Sequence, residues 1–379
     1  MPTETILSNA RIVLEDEIVS GAVAIRDGLI ADISAGSSTI GEDLEGDYLI
    51  PGLVELHTDH LEGHYAPRPK VRWNPIAAVL AHDAQVATAG ITTVFDALRV
   101  GMDDDSDITK EDMRRLADAI EDSVRNDRVR ADHFIHLRCE VSAPDCQQAF
   151  ALYDNDDRVK LASLMDHAPG QRQFASLDAY AIYYKGKLKM SDEQFRIFCE
   201  KRIAQSEKNS ATNRVAVSDI CRSRGIVLAS HDDATQAHVD ESVEHGIRVA
   251  EFPTTHEAAK ASKDAGLGVL MGAPNVMRGG SHSGNVSARE LAQEGLLDIL
   301  SSDYIPFSLI QSAFFLGEVV DGISLPQAMA MVSKNPAEAV GLTDRGIITP
   351  GRRADLVRVR VDEHVPVVRT VWREGRRVA

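Results

Sequence analysis

The stretch Gly225-Ile226-Val227-Leu228-Ala229-Ser230-His231 sets the reading of the whole chain. A glycine able to take a left-handed backbone ends a helix. A nearly apolar strand follows, as expected where both of its faces are covered, and a histidine closes it. The unit recurs. Gly90 precedes Ile91-Thr92-Thr93-Val94-Phe95-Asp96, Gly246 precedes Ile247 to Glu251, Gly266 precedes Leu267 to Met271, and Gly295 precedes Leu296 to Asp303. Adding Leu53–Asp59, Phe134–Glu140 and Lys160–His167 brings the count to about eight strands, the number that closes a barrel. The segments between read as helices; Met113, Leu116, Ile120 and Val124 form one apolar stripe. Such alternation implies parallel strands with right-handed crossovers. An open doubly wound sheet is the rival, and the missing glycine-rich phosphate loop after the first barrel strand weighs against it. The expected α/β fold is therefore a (β/α)8 TIM barrel over residues 53–344.

The ends of the chain differ from its centre. Ile6-Leu7 to Leu14 and Val23-Ala24-Ile25 are strand-like, with Arg26-Asp27-Gly28 as a turn. Asp355 to Val361 alternates with period two, and Thr370-Val371-Trp372 follows a further turn. Residues 1–52 and 345–379 are expected to combine into one small β-sandwich domain beside the barrel.

Composition narrows the function classes. Hydrophobic residues make up 44% of the 379, enough for a sizeable core. The 41 Lys and Arg against 58 Asp and Glu leave a net charge of −17, which argues against general nucleic-acid binding. No run of about 18 apolar residues exists, so no membrane span is expected. Met1-Pro2-Thr3-Glu4 shows neither a basic nor an apolar leader segment, so the expectation is a cytoplasmic protein. The four cysteines, Cys139, Cys146, Cys199 and Cys221, lack C-x-x-C spacing, which disfavours a disulfide framework or a thiolate metal site.

Metal-ligand residue types gather at the C-terminal strand ends, where barrels of this kind carry their active sites. His57 and Asp59 are two apart and share a strand face, so both can grip one divalent cation. His60 would face the other way and reads as a loop residue. Glu140, His167, His231 (followed by two aspartates) and Asp303 recur in the same register. A lone histidine at a strand end is usually structural; six such residues at the same end reverse that reading and suit two metals with one bridging carboxylate. A second set is cationic: Arg68-Pro69-Lys70-Val71-Arg72, Pro169-Gly170-Gln171-Arg172, and Arg278 to Asn285, the last with Gly279, Gly280, Ser281 and His282. These segments follow the first, fourth and seventh strands, on the side of the metals. Backbone N–H groups at the glycines and the guanidinium of Arg278 suit an anion. Lys185 and Lys187 are weaker members of this set.

Leu49 to His57, together with Asp344 to Ile348 and Pro350 to Val357, resembles the amidohydrolase superfamily at its approach to the barrel and its return from it. Within it, the chain is similar over essentially its whole length to the PhnM family of bacterial phosphonate metabolism. The matching stretches are Glu55 to Asp59, Pro67 to Val71, His136 to Glu140, Ser163 to Phe174, Ser230 to Thr235, Met271 to Asn275, Arg278 to Asn285 and Leu297 to Tyr304. Two departures from the wider superfamily point the same way. Asp59 replaces the second histidine of the usual His-x-His pair, and Glu140 stands in for the frequent bridging carboxylated lysine. His60 occupies a position where the PhnM family often has asparagine.

The resemblance implies a metal-dependent diphosphatase acting on α-D-ribose 1-methylphosphonate 5-triphosphate, releasing pyrophosphate one step before the carbon–phosphorus lyase. On this reading His57, Asp59 and Asp303 hold one divalent ion and His167 and His231 the other, zinc first with manganese or others admitted. Glu140 bridges, Arg138 orients Glu140, and Asp303 doubles as the catalytic base. Arg68, Lys70, Arg172, Arg278, Ser281 and His282 contact the substrate. The partner is thus a small-molecule triphosphate; other enzymes of phosphonate metabolism and a second copy of the chain are further partners the reading admits. Two alternatives remain beside it. A hydrolase of cyclic amides, of the dihydroorotase or hydantoinase kind, shares the fold but needs no cationic loops. A non-catalytic scaffold would have no use for the full ligand series.

Overall fold

The computed structural model describes residues 4–102, 107–172, 190–280 and 284–379. Five strands precede the barrel: β1 Glu4–Val13, β2 Ile18–Arg26, β3 Leu29–Ala35, β4 Glu42–Asp43 and β5 Tyr48–Pro51. Eight parallel strands then follow, β6 Leu53–Thr58, β7 Ile91–Val100, β8 Asp132–Glu140, β9 Val159–Met165, β10 Val227–His231, β11 Val249–Glu251, β12 Gly268–Gly272 and β13 Ile299–Ser301. Each pairs with the next in sequence order, and a parallel bridge between Thr58 and Asp303 joins the last to the first. The strands are short and sheathed on both sides; every residue of β6 is buried, as a covered parallel sheet requires. Val54, Leu56, Phe95, Leu161, Ala229, Val249, Leu270 and Ile299 fill the interior, so the barrel is a packed core and not a pore.

The glycine-closed helices form for the reasons their sequence suggests. The 33-residue helix Asp192–Arg224 opens on a Ser191 capping box and closes at Gly225, whose φ is 66°. Beyond it the Ile226 N–H donates to the Cys221 carbonyl at 2.9 Å, the Schellman bond that satisfies a terminal helix carbonyl and turns the chain into β10.

The terminal segments meet in a second sheet. Its order is β16-β15-β14-β5-β1-β2-β3, with β4 against β1, where β14 is Leu356–Asp362, β15 Val365–Arg373 and β16 Arg376–Arg377. The seam between the two chain ends is β5, parallel to β1 and antiparallel to β14. Leu7, Ile12, Val23, Leu49, Leu356 and Trp372 share its core. From β5 the chain enters β6 through Gly52, where an added Cβ would lie 2.2 Å from Thr92 Oγ1; only glycine allows that approach. Asp132, at the base of β8, receives Arg345 at 2.7 Å, Arg353 at 2.8 Å and Arg373 at 3.4 Å, fastening the returning chain to the barrel. Among the described residues no helix is long and apolar enough to cross a membrane.

Candidate metal centre

The strand order brings His57, Asp59, Glu140, His167, His231 and Asp303 to one mouth. His57 and His231 stack with ring centroids 5.7 Å apart. His167 meets His231 edge-on at 5.4 Å, and Asp303 is held beside Thr58 by the closing bridge. Phe252 sets its ring edge-on to both His57 and His231, walling one side with an apolar surface.

Each imidazole is oriented by a carboxylate. Nδ1 of His57 and Nδ1 of His231 lie 3.2 and 3.3 Å from the two oxygens of Glu251. Nδ1 of His167 lies 2.7 Å from Glu140 Oε2. A carboxylate can only accept, so each Nδ1 carries a proton. Burial keeps His57 and His231 neutral with a lone pair on Nε2, whereas Glu140 and Asp232 outweigh burial at His167 and push it toward its cation. The Nε2 atoms of His231 and His167 stand 3.4 and 3.7 Å from Asp232 Oδ2, which is buried and accepts no hydrogen bond. A bare carboxylate oxygen facing the His231 lone pair is repulsive unless a cation or proton sits among the three groups. Burial pushes Asp232 up to about 7 despite His167 nearby. Burial likewise holds His57 and His231 down at about 3, in the neutral form that ligates metal. The donor set His167, His231 and Asp232 therefore fits a divalent cation, in the carboxylate–histidine–metal arrangement.

A second group sits beside it. His57, Asp59 and Asp303 lie along the closing seam, near enough for the charge of Asp59 to act on both of the others, although their ligand atoms are not drawn together as those of the first group are. Glu55 fixes the backbone there, its two oxygens accepting the N–H of His57 at 2.7 Å and of Ser302 at 2.5 Å. Asp303 has φ of 55° and Asp232 of 59°, sparsely populated conformations for residues with side chains, which the surrounding hydrogen bonds hold. Burial, and next the negative charge of Asp59, push Asp303 up to about 7.

Several expected roles change. Glu140, expected to bridge, has both oxygens engaged within the protein: Oε1 accepts from Ser142 Oγ at 2.5 Å and the His167 N–H at 3.2 Å, while Oε2 holds His167 Nδ1. Burial would raise its carboxyl, but the facing His167 outweighs it and brings it to about 2. Arg138 does not orient Glu140; its Nη1 lies 3.1 Å from Asp59 Oδ2. Arg172, expected on an anion-binding rim, is buried and ion-paired with Asp233 and Glu241. Arg68, Lys70 and Arg278 are exposed in the segments that follow β6 and β12. Ser281 and His282, with Lys185 and Lys187, lie outside the described residues. His60 is no loop residue; it starts the helix His60–Tyr65.

Asp232, Glu251 and Glu55 were missed. Glu251 ends an apolar strand as Glu140 does, so the same signal marks it. Asp232 is the residue after a strand-end histidine. His136 also lies near Glu251, but its two nitrogens bond the Leu56 carbonyl and Ser163 Oγ, each at 2.9 Å, which leaves it structural.

Comparison with known proteins agrees with this architecture. Residues 161–379 match the model of the amidohydrolase family. The α-D-ribose 1-methylphosphonate 5-triphosphate diphosphatase of Escherichia coli K12 is 48% identical over 98% of this chain and 100% of its own length. An imidazolonepropionase of Deinococcus deserti is 24% identical over 94% of this chain and 92% of its own. Among solved structures, N-acetylglucosamine-6-phosphate deacetylase from Pasteurella multocida superposes with a TM-score of 0.65 at 14% identity, covering 98% of this chain and 99% of that one. 5-Methylcytosine deaminase from Klebsiella pneumoniae gives 0.65 at 13%, covering 99% and 98%. These two establish the fold alone. With its whole length matched to the E. coli enzyme, the chain belongs to the amidohydrolase family and, within it, to the PhnM family.

Proposed function

We infer that this chain hydrolyses α-D-ribose 1-methylphosphonate 5-triphosphate to the 5-phosphate and pyrophosphate, a step of phosphonate catabolism. The observation that carries the reading is the buried, unpartnered Asp232 oxygen between two carboxylate-oriented histidines, in a chain 48% identical to an enzyme of that activity.

His167, His231 and Asp232 would hold one divalent ion, and His57, Asp59 and Asp303 a second; nitrogen and oxygen donors of this kind suit zinc or manganese. When bound, such ions supply Lewis acidity at phosphoryl oxygens and lower the pKa of water. The chain's own groups do the rest. Asp303, held beside Thr58 at the mouth, would take the proton of the attacking water at its carboxylate. Glu140 and Glu251 hold the histidine rings in one tautomer. Arg138 stands beside Asp59 and fixes it. Arg68, Lys70 and Arg278, with the Gly279 and Gly280 backbone, would form the cationic rim that receives the triphosphate and the departing pyrophosphate. The anhydride bridge between the first and second phosphorus breaks, water supplying the oxygen left on the 5-phosphate or on pyrophosphate.

The test is product analysis by phosphorus NMR with purified, metal-loaded protein. Equal amounts of 5-phosphate and pyrophosphate are expected. Orthophosphate in place of pyrophosphate, or no turnover beside ring opening of a cyclic amide, would overturn the reading.

A further inference from the structure

A second group of ligand-type side chains lies outside the barrel interior. His60 and His64 are four apart on the helix His60–Tyr65, so their rings share a face. His82 lies within the helix Pro75–Thr88 and is fully buried. One ring nitrogen from each of the three lies within 4.8 Å of the others.

Hydrogen bonding decides which nitrogens are free. His82 Nε2 donates to Asp96 Oδ1 at 2.8 Å, and Asp96 also accepts from His133 Nδ1 at 2.7 Å. His82 Nδ1 is then left buried with no hydrogen-bond partner, and so is His60 Nδ1. His64 Nε2 lies 3.3 Å from Gln85 Oε1, an acceptor, which leaves the lone pair on Nδ1. Two buried ring nitrogens without partners at one spot are uncommon in a folded protein. A histidine that gives one N–H to a buried carboxylate and presents the other nitrogen bare is oriented as metal-ligating histidines are.

The cluster is separate from the mouth. Asp96 follows Phe95 on β7, and Phe95 is part of the interior core. Successive strand residues face opposite ways, so Asp96 and the imidazoles gathered about it lie between the sheet and the helix layer.

We propose that His60, His64 and His82 form a further metal site, taking a divalent transition ion of the zinc type with water as its fourth ligand. Three imidazoles with no carboxylate among them select such ions over magnesium, calcium or manganese. Drawing the nitrogens to about 2.0–2.1 Å from an ion needs rotation only of His60 and His64, which are partly exposed; His82 is held by Asp96. Because His60 directly follows Asp59, the ion pins the connection after β6 to the helix Pro75–Thr88.

The experiment counts zinc per chain after loading the full-length protein with zinc chloride and desalting. Wild type is compared with His64→Ala and His60→Asn, both at partly exposed positions, and all three are assayed for pyrophosphate release. Each variant is expected to hold one zinc fewer than wild type and to turn over within about twofold of it. A protein carrying both Asp232→Asn and His64→Ala is expected to hold one zinc fewer than Asp232→Asn alone, so the count stands whether or not the inferred activity does. Equal zinc in wild type and both variants would overturn the proposal and leave water between the rings. Equal zinc in Asp232→Asn and the double variant would overturn it as well, since the ion lost on His64→Ala would then belong to the mouth.

Discussion

Glu251 spans the two stacked histidines of the mouth, one carboxylate oxygen 3.2 Å from His57 Nδ1 and the other 3.3 Å from His231 Nδ1. One buried group thus sets the tautomer of a ligand in each half of the site. Glu251→Gln offers a single acceptor oxygen where two are needed, so one ring loses its orientation. A fall of about 10–100-fold in metal affinity or turnover is expected, the range typical of partners behind metal ligands. Metal titration followed by pyrophosphate assay checks it.

Asp303 and Asp232 separate by kinetics. Asp303→Asn removes the proton acceptor but leaves the second ion an amide oxygen beside His57 and the charged Asp59, so kcat is expected to fall by about 10²–10⁴-fold with metal content retained and little change in KM. Asp232→Asn takes away a charged donor facing two imidazoles, so bound metal per chain falls along with kcat. Steady-state kinetics together with metal analysis distinguish the two.

The arginines divide into rim and scaffold. Arg278→Ala is expected to raise KM for the triphosphate about tenfold, a loss of roughly 1.4 kcal/mol of binding, with kcat little changed. Arg172→Met leaves Asp233 buried without its cation. A stability loss of about 3 kcal/mol is expected, read as a lower urea midpoint. Arg278→Ala does not shift that midpoint.

His133 makes stability depend on pH. Burial disfavours its cation, but Asp96 at 2.7 Å and Asp83 at 3.3 Å outweigh that and push the ring from 6.5 up to about 10. The folded protein therefore binds a proton that the unfolded chain releases near 6.5. This stabilisation is complete below that pH and is lost as pH rises toward about 10. Urea midpoints measured from pH 6 upward are expected to decline, and His133→Gln to flatten the slope.

Asp132 carries the junction between barrel and terminal sheet. Asp132→Ala leaves Arg345 and Arg353 partly buried with fewer partners. The cost is about 2 kcal/mol, toward the lower end for charge pairs that water still reaches. Thermal melts of the variant check it, and the mouth's metal content is expected to stay unchanged.

The sequence carried the barrel well because its signals are local. Each glycine stop and each unbroken apolar run, such as Gly225 to Ser230, needs no knowledge of distant residues. The gathering of ligand-type residues at one mouth was legible for the same reason, since parallel strands put all their C-termini on one side. Partner choice was not. Arg138 is two residues from Glu140 yet pairs with Asp59, which reaches it across the barrel. Arg172 looked like a rim cation because its partners, Asp233 and Glu241, lie more than 60 residues away. Glu140 read as a bridge because sequence does not reveal that Ser142 and His167 already occupy both of its oxygens.

Anomalous diffraction from crystals of the zinc-loaded protein, collected at the zinc edge, addresses the mouth most directly. The account predicts a peak among His167 Nε2, His231 Nε2 and Asp232 Oδ2, with a second beside His57, Asp59 and Asp303. Electron density showing Asp232 bonded to water alone, with no anomalous signal at the mouth, would contradict it.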